Sequence, residues 1–179
     1  MKAPERLETA RLVLRRPLAT DAEAIFTRYA GDREVTRYLG WPVHESLEDT
    51  SAFLAFSASE WERLPAGPYL VEGRITGPLL GSTGFAFESA ERAMTGYVLA
   101  KDAWGHGYAT EALRAIVGIA DAVKIRRLFA LCHPEHRASW RVLEKCGFVL
   151  TGPGEEEGTI RFALERAQHA AARPRSPRA

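Results

Sequence analysis

Residues 95–132 constrain the fold more than any other stretch of this chain. TGYVLA (95–100) has the pattern of a short apolar strand. Leu113, Ile116, Val117 and Ala120 then recur at helical spacing, and RRLFALC (126–132) is a nearly continuous apolar run. Such a run suits a strand buried on both faces, as in parallel sheets. Strand, helix, strand in that order is one βαβ crossover, expected to be right-handed. The runs PYLVE, LLGSTGFAFE and TGYVLA, separated by Gly, Pro or polar residues, read as an antiparallel meander. The expected fold is α/β with a mixed α+β sheet, a meander followed by a single crossover.

Other elements follow from local chemistry. RLVLRR (11–16) alternates like a half-buried strand and ends at Pro17. Thr20 and Glu23 have capping-box spacing, with Ile25, Phe26 and Tyr29 on one helical face and Gly31 as a stop. Ser46 and Asp49 repeat the device for a second helix whose Phe53, Leu54, Ala58 and Trp61 face the core, ending at LPAGP (64–68). YLGWPVH (38–44) reads as aromatic packing around a proline turn, with a wall of a substrate site as the other reading. A helix over 138–146 stops at Gly147, and FVL and TIRFAL are two strands joined by GPGEEEG. No internal repeat is visible. Residues 1–166 are expected to form one domain, because a chain of 179 residues buries roughly 70% of its unfolded surface around one core. Residues 167–179, rich in Ala, Arg and Pro, are expected to be a disordered tail.

A net charge of +1 provides no general field for nucleic acid or an anionic membrane. The N-terminus lacks the apolar core of a secretory signal, and no run approaches the roughly 20 residues that span a bilayer. Cys132 and Cys146 are too few for a disulfide framework, and the five histidines show no metal-ligand spacing. The expectation is a soluble cytoplasmic protein with no metal.

DAWGHGYATEALRAI (102–116) places Gly105 and Gly107, then small Ala109 and Thr110, where a helix begins. Helix N-termini carry unpaired N–H groups and positive dipole, and glycines let an anion approach them. From the glycines alone, the segment reads either as a phosphate cradle or as a turn that starts a helix. No Gly-x-x-x-x-Gly-Lys-Ser/Thr string occurs, which excludes the P-loop. A dinucleotide fingerprint would open a series of βαβ units, whereas a meander precedes a single crossover here.

WGHGYATEAL, with GYVL before it and HPEHRASWRVLEKCGF after the next strand, resembles the GNAT family of acetyl-CoA-dependent N-acetyltransferases. The branch it resembles contains the ribosomal-protein alanine N-acetyltransferases. TARLVLRR, DREVTRYLGWPVHESLEDTSAFL and RFALER extend the likeness over nearly all the chain before the tail. Trp104, Gly107 and Ala109 occupy the family's Gln/Arg-x-x-Gly-x-Gly/Ala motif, with Trp104 in the Gln/Arg place. The resemblance implies that the N–H groups of Gly105, His106, Gly107, Tyr108, Ala109 and Thr110 hold the pyrophosphate of acetyl-CoA. It likewise implies that the Val98 and Leu99 backbone pairs with pantetheine in a notch between splayed parallel strands.

The family's second motif, Asn-x-x-Ala-x-x-x-Tyr-x-x-x-Gly-Phe, falls on His136, Ser139, Leu143, Gly147 and Phe148. The tyrosine that protonates the departing thiolate in that motif is therefore missing. Ser139, with Val142, Leu143 and Cys146 following at i+3, i+4 and i+7, projects from an apolar face, and the branch implies it as the acid or thiolate stabiliser. The other reading is a helix-start serine bonded to nearby backbone. His136 stands where the Asn contacts CoA. Glu88, Tyr97 and His133 are the candidate bases, since an amine attacks only when unprotonated. His133 could instead cap a strand end. Cys132 and Cys146 read as small core hydrophobes. Glu155–Glu157 form a solvated hairpin tip, or, beside an acceptor site, draw in a cationic amine.

The resemblance implies transfer of acetyl from acetyl-CoA to a primary amine, at a protein N-terminus or on a small molecule, by direct attack in a ternary complex. A homodimer fits the family. The alternatives are a non-catalytic acyl-CoA-binding regulatory module and a nicotinamide dehydrogenase built on GHGYAT.

Overall fold

A computed structural model describes residues 1–75 and 77–165. Eight strands form one sheet in the order β1-β2-β3-β4-β5-β6-β8-β7. They are β1 Arg6–Glu8, β2 Leu12–Arg15, β3 Tyr69–Gly73, β4 Leu79–Phe87, β5 Arg92–Leu99, β6 Arg127–Cys132, β7 Val149–Pro153 and β8 Ile160–Glu165. Every neighbouring pair is antiparallel except β5 and β6. That parallel pair is the crossover expected from 95–132, and β3 to β5 are the meander. β6 pairs with β8 on its other side, so the apolar run lies inside a mixed sheet.

The crossover helix α4, defined here as Tyr108–Ala122, buries Ala112, Leu113, Ile116, Ile119 and Ala120 against Leu12, Leu14, Val71, Leu99, Leu128 and Ala130. Full burial of a side chain such as Leu113 or Ile116 contributes about 1.5–3 kcal/mol. The opposite face of the sheet is covered by α1 Ala22–Ile25, which runs on into a π-helical turn Phe26–Ala30, by α2 Arg33–Thr36 and by α3 Leu47–Arg63. Ile25, Tyr29, Val35 and Leu54 pack there on Leu70, Leu79 and Val98.

Several local expectations are corrected. The first helical segment is capped by Asp21, whose Oδ2 accepts from Leu18 N–H at 2.7 Å, and Thr20 and Glu23 are exposed. Ser46 and Asp49 do cap α3 reciprocally, at 3.3 and 3.1 Å. However, the buried residues of α3 are Thr50, Leu54, Ser57, Glu60 and Trp61, and Ala58 faces solvent. β5 begins at Arg92, earlier than its apolar run. α5 spans Arg137–Lys145. The tail expectation lies outside the described residues.

Candidate active site

β5 and β6 pair at only three positions, Arg92 with Arg127, Ala93 with Leu128 and Met94 with Phe129. Beyond Met94, β5 continues to Leu99 with no partner on that side, so a notch opens between the carboxyl ends of the two parallel strands. Ligands of α/β sheets bind in such crevices.

At the mouth of the notch the chain turns into α4. Gly105 and Gly107 both have φ of 78°. This left-handed conformation is open to glycine and strained by about 1–2 kcal/mol for other residues. Gly107 is the N-cap and offers no side chain to the helix. Glu111 N–H is bonded to Gly107 O at 3.1 Å, so the N–H groups of Tyr108, Ala109 and Thr110 have no carbonyl within the helix to bond. Gly105, His106 and Gly107 are exposed. An open positive helix end, approached over backbone without Cβ atoms, fits a diphosphate.

Three side chains fix this loop. Trp104 Nε1 donates to Leu99 O at 2.8 Å, fastening the loop to the end of β5. Arg11, in the turn between β1 and β2, donates from Nη1 to His106 O at 2.9 Å and lies over the Tyr108 ring at 4.7 Å. Arg11 is in turn held by Glu111, which accepts from its Nε at 2.7 Å. Burial raises the Glu111 carboxyl's pKa, but Thr9, then the backbone and side chain of Arg11, hold it lower on balance. In the sequence Arg11 read only as the charged start of a strand, and nothing local signalled its reach across 95 positions.

The expectation for the Val98 backbone is corrected. Leu99 is register-paired with Gly81, Ala100 N–H bonds to Leu80 O, and a Cβ on Gly81 would overlap the Val98 carbonyl oxygen. Val98 therefore turns its backbone groups toward β4, and alternation turns those of Tyr97 and Leu99 toward the notch. The Leu99 carbonyl is taken by Trp104, which leaves Leu99 N–H and the Tyr97 carbonyl facing the opening.

Deeper in, Tyr97 on β5 reaches α5. Its hydroxyl lies 2.8 Å from Ser139 Oγ and 3.2 Å from Ser139 O. The Ser139 hydroxyl therefore bridges to the opposite wall of the notch. Burial pushes the Tyr97 phenol well above its ordinary value, so it stays protonated and can donate a hydrogen bond. Cys132 and Cys146 flank this pair, and burial raises both thiols, the inert behaviour expected of small core residues.

The other face of the notch carries His133 and His136. Tyr38, from the segment after α2, lies against both, with ring centroids 4.8 and 4.9 Å away. His133 Nδ1 accepts from Glu135 N–H at 3.2 Å, so its lone pair is occupied. Burial, and then the neighbouring His133, lower the His136 pKa, keeping that imidazole neutral. Trp41 is half-buried beside an open cavity of about 460 Å³ that Arg33, Arg37 and Gly40 also line. The Glu156 carboxylate lies against Gly40, where a Cβ would come within 3.4 Å of Oε2. Glu155 is occupied by Arg92 and Arg161, each at 3.0 Å.

Glu88 does not join this group. It pairs with Arg92 Nε at 2.6 Å in the turn before β5, at the end where β5 and β6 are still hydrogen-bonded. Among the described residues no cluster of three His, Cys, Asp or Glu could hold a metal ion, and no helix is long and apolar enough to cross a membrane.

The acetyltransferase (GNAT) domain family matches residues 11–149. The chain belongs to that family. It is similar to the uncharacterized N-acetyltransferase YoaA of Bacillus subtilis (strain 168), 34% identical over 87% of this chain and 85% of that protein. It is also similar to the uncharacterized N-acetyltransferase p20 of Bacillus licheniformis, 26% identical over 88% and 86%. A GNAT-family acetyltransferase from Bacillus anthracis superposes with a TM-score of 0.77 at 25% identity, covering 89% of this chain and 98% of that one. A ribosomal L7/L12 alpha-N-protein acetyltransferase solved with coenzyme A shares the fold, with a TM-score of 0.79 at 23% identity over 90% and 98%. This GNAT protein is an acetyl-CoA-dependent acetyltransferase, and the dehydrogenase reading of GHGYAT is set aside.

Proposed function

We propose that the protein moves acetyl from acetyl-CoA directly to a primary amine, at a protein N-terminus or on a small molecule, in the reducing cytoplasm. The observation that carries this reading is the three-pair register of β5 with β6, which opens a notch ending at the Gly105–Thr110 cradle. In this reading the N–H groups from Gly105 to Thr110 hold the diphosphate, and Leu99 N–H and the Tyr97 carbonyl receive the pantetheine arm. The thioester carbonyl then lies near Leu99, whose N–H faces the charge that develops on oxygen. Loss of one such donor typically costs about 3 kcal/mol.

The amine approaches from the face of Tyr38 and Trp41, where Glu156 and Glu157 attract its cationic form. An α-amine, titrating near 8, gives up its proton more readily than a lysine, near 10.4. His136, whose ring nitrogens carry no side-chain hydrogen bond among the described residues, is open to accept that proton, whereas His133 Nδ1 already accepts from Glu135 N–H. As the C–N bond forms and the C–S bond breaks, Ser139 Oγ–H donates to the departing sulfur and Tyr97 O–H donates to Ser139 Oγ. No covalent enzyme intermediate is required, and both cysteines stay outside the reaction.

Free-thiol release from acetyl-CoA, measured with a panel of peptides bearing free N-termini and of small amines, tests the proposal. Turnover that needs an amine supports it. Thiol release indifferent to any amine, or none with every acceptor while acetyl-CoA is bound, refutes it.

A further inference from the structure

The short helix α2 divides its charges between two partners. Asp32, its N-cap, and Glu34 turn to Lys101 just after β5, which meets their carboxylates at 3.1 and 2.6 Å. Arg33 and Arg37, one helical turn apart, instead line the open cavity of about 460 Å³ beside Trp41. Arg33 makes only a 3.6 Å contact with Glu45, between two largely exposed side chains, and a pair of that kind is weak and easily exchanged. Arg37 is exposed and has no carboxylate partner among the described residues. Its guanidinium carbon lies 4.9 Å from the centre of the Tyr38 ring, which is itself 4.9 Å from the His136 ring, so the cation stands within about 10 Å of that imidazole, a span that about three residues of extended chain cover. The Glu156 carboxylate borders the same cavity at Gly40, and Trp41, Pro42 and Val43 give it apolar wall.

We infer that this cavity receives a carboxylate of the acceptor, with Arg37 as its main ligand, so that the amines acetylated are those bearing an acidic group within about three residues' reach of the nitrogen. The inference rests on the acyl-transfer reading above and narrows its acceptor. A guanidinium presents paired N–H donors that match the two oxygens of a carboxylate, and Arg37 gains its ion-pair partner when one enters. Arg33 adds a second cation by exchanging its loose contact with Glu45. Trp41 and Val43 cover the methylene stem of the acidic side chain. Glu156 attracts the ammonium end and repels the carboxylate, which sets the direction in which the acceptor lies.

Free-thiol release by the full chain tests this with amidated peptides that carry glutamate, glutamine or lysine at the second or third position, and with free aspartate and glutamate beside their uncharged amides. The wild type should favour the acidic acceptor over its matched neutral one about five- to tenfold in kcat/KM, with the lysine peptides below both. Arg37→Gln, at an exposed position and expected to melt as the wild type does, should bring the acidic-to-neutral ratio near one by raising the KM for acidic acceptors. Arg37→Lys should keep part of the preference, and Arg37→Glu should favour lysine over glutamate. A preference among the peptides supports a protein N-terminus as the source of the carboxylate, and one among the free amino acids alone supports a small molecule. Equal turnover of acidic, neutral and basic acceptors, or an acidic preference that survives in folded Arg37→Glu, overturns the acidic subsite and leaves acetyl transfer standing. No turnover on any acceptor while acetyl-CoA is bound overturns both.

Discussion

Gly107 is where the backbone requirement and the ligand requirement can be separated by two substitutions. With φ at 78°, any side chain there is strained, by about 1–2 kcal/mol. Space is not the obstacle, since a Cβ would meet only Arg11 Nη2, at an ordinary 3.6 Å. Gly107→Ala should therefore lower stability by about 1–2 kcal/mol and leave CoA affinity within a few-fold of wild type. Gly107→Glu carries the same strain and adds a carboxylate about 6 Å from the diphosphate, a repulsion of about 3 kcal/mol at an effective dielectric of 20. Exposure and salt reduce this to about 1–2 kcal/mol, or roughly 5–30-fold in affinity. Calorimetry with CoA, paired with thermal melting, reads both effects. A folded Gly107→Glu protein that binds CoA as tightly as Gly107→Ala would refute the placement of the diphosphate on these amides.

Ser139→Ala should lower kcat about 10–100-fold with little change in the KM for acetyl-CoA. Tyr97→Phe should show a smaller loss of the same kind, and a KM effect without a kcat effect would argue against the Ser139–Tyr97 relay. His136 has its folded pKa held below the ordinary 6.5, so the folded chain takes up its proton later than the unfolded chain. Its contribution to stability is complete above about pH 6.5 and declines as pH falls from there through the lowered folded value. Denaturant midpoints between pH 7 and 5 should fall less steeply in His136→Gln than in wild type. Asp21→Asn removes a carboxylate that pairs with Arg15 at 2.7 Å and caps Leu18. It should cost about 2 kcal/mol in urea unfolding, low for a broken buried pair because Glu72 still neutralises Arg15.

The crossover and the glycine turn into α4 were legible because both rest on local rules. A helical period between two apolar runs, and glycines where backbone must turn left-handed, need no knowledge of distant residues. Ser139 was legible for a similar reason, since its spacing to Leu143 and Cys146 puts it on an inward face. Its partner was not. Tyr97 lies 42 positions away, and only the order of strands brings them together. The same holds for Arg11 at His106 and for Tyr38 against two histidines. Glu88 looked plausible as a base because it ends a meander strand, but it ends it at the wrong edge of the notch. β1 and α2, of three and four residues, are too short to show any periodicity. Ala58 was misplaced because polar Thr50 and Ser57 occupy the buried stripe that apolar residues usually mark.

A crystal of the chain grown with CoA would test the central claim most directly. The pyrophosphate oxygens should lie within hydrogen-bond distance of the amides between Gly107 and Thr110, with the pantetheine arm running between β5 and β6 toward Ser139. Coenzyme bound away from this helix end, or the β5–β6 opening filled by protein with the arm outside it, would contradict the account.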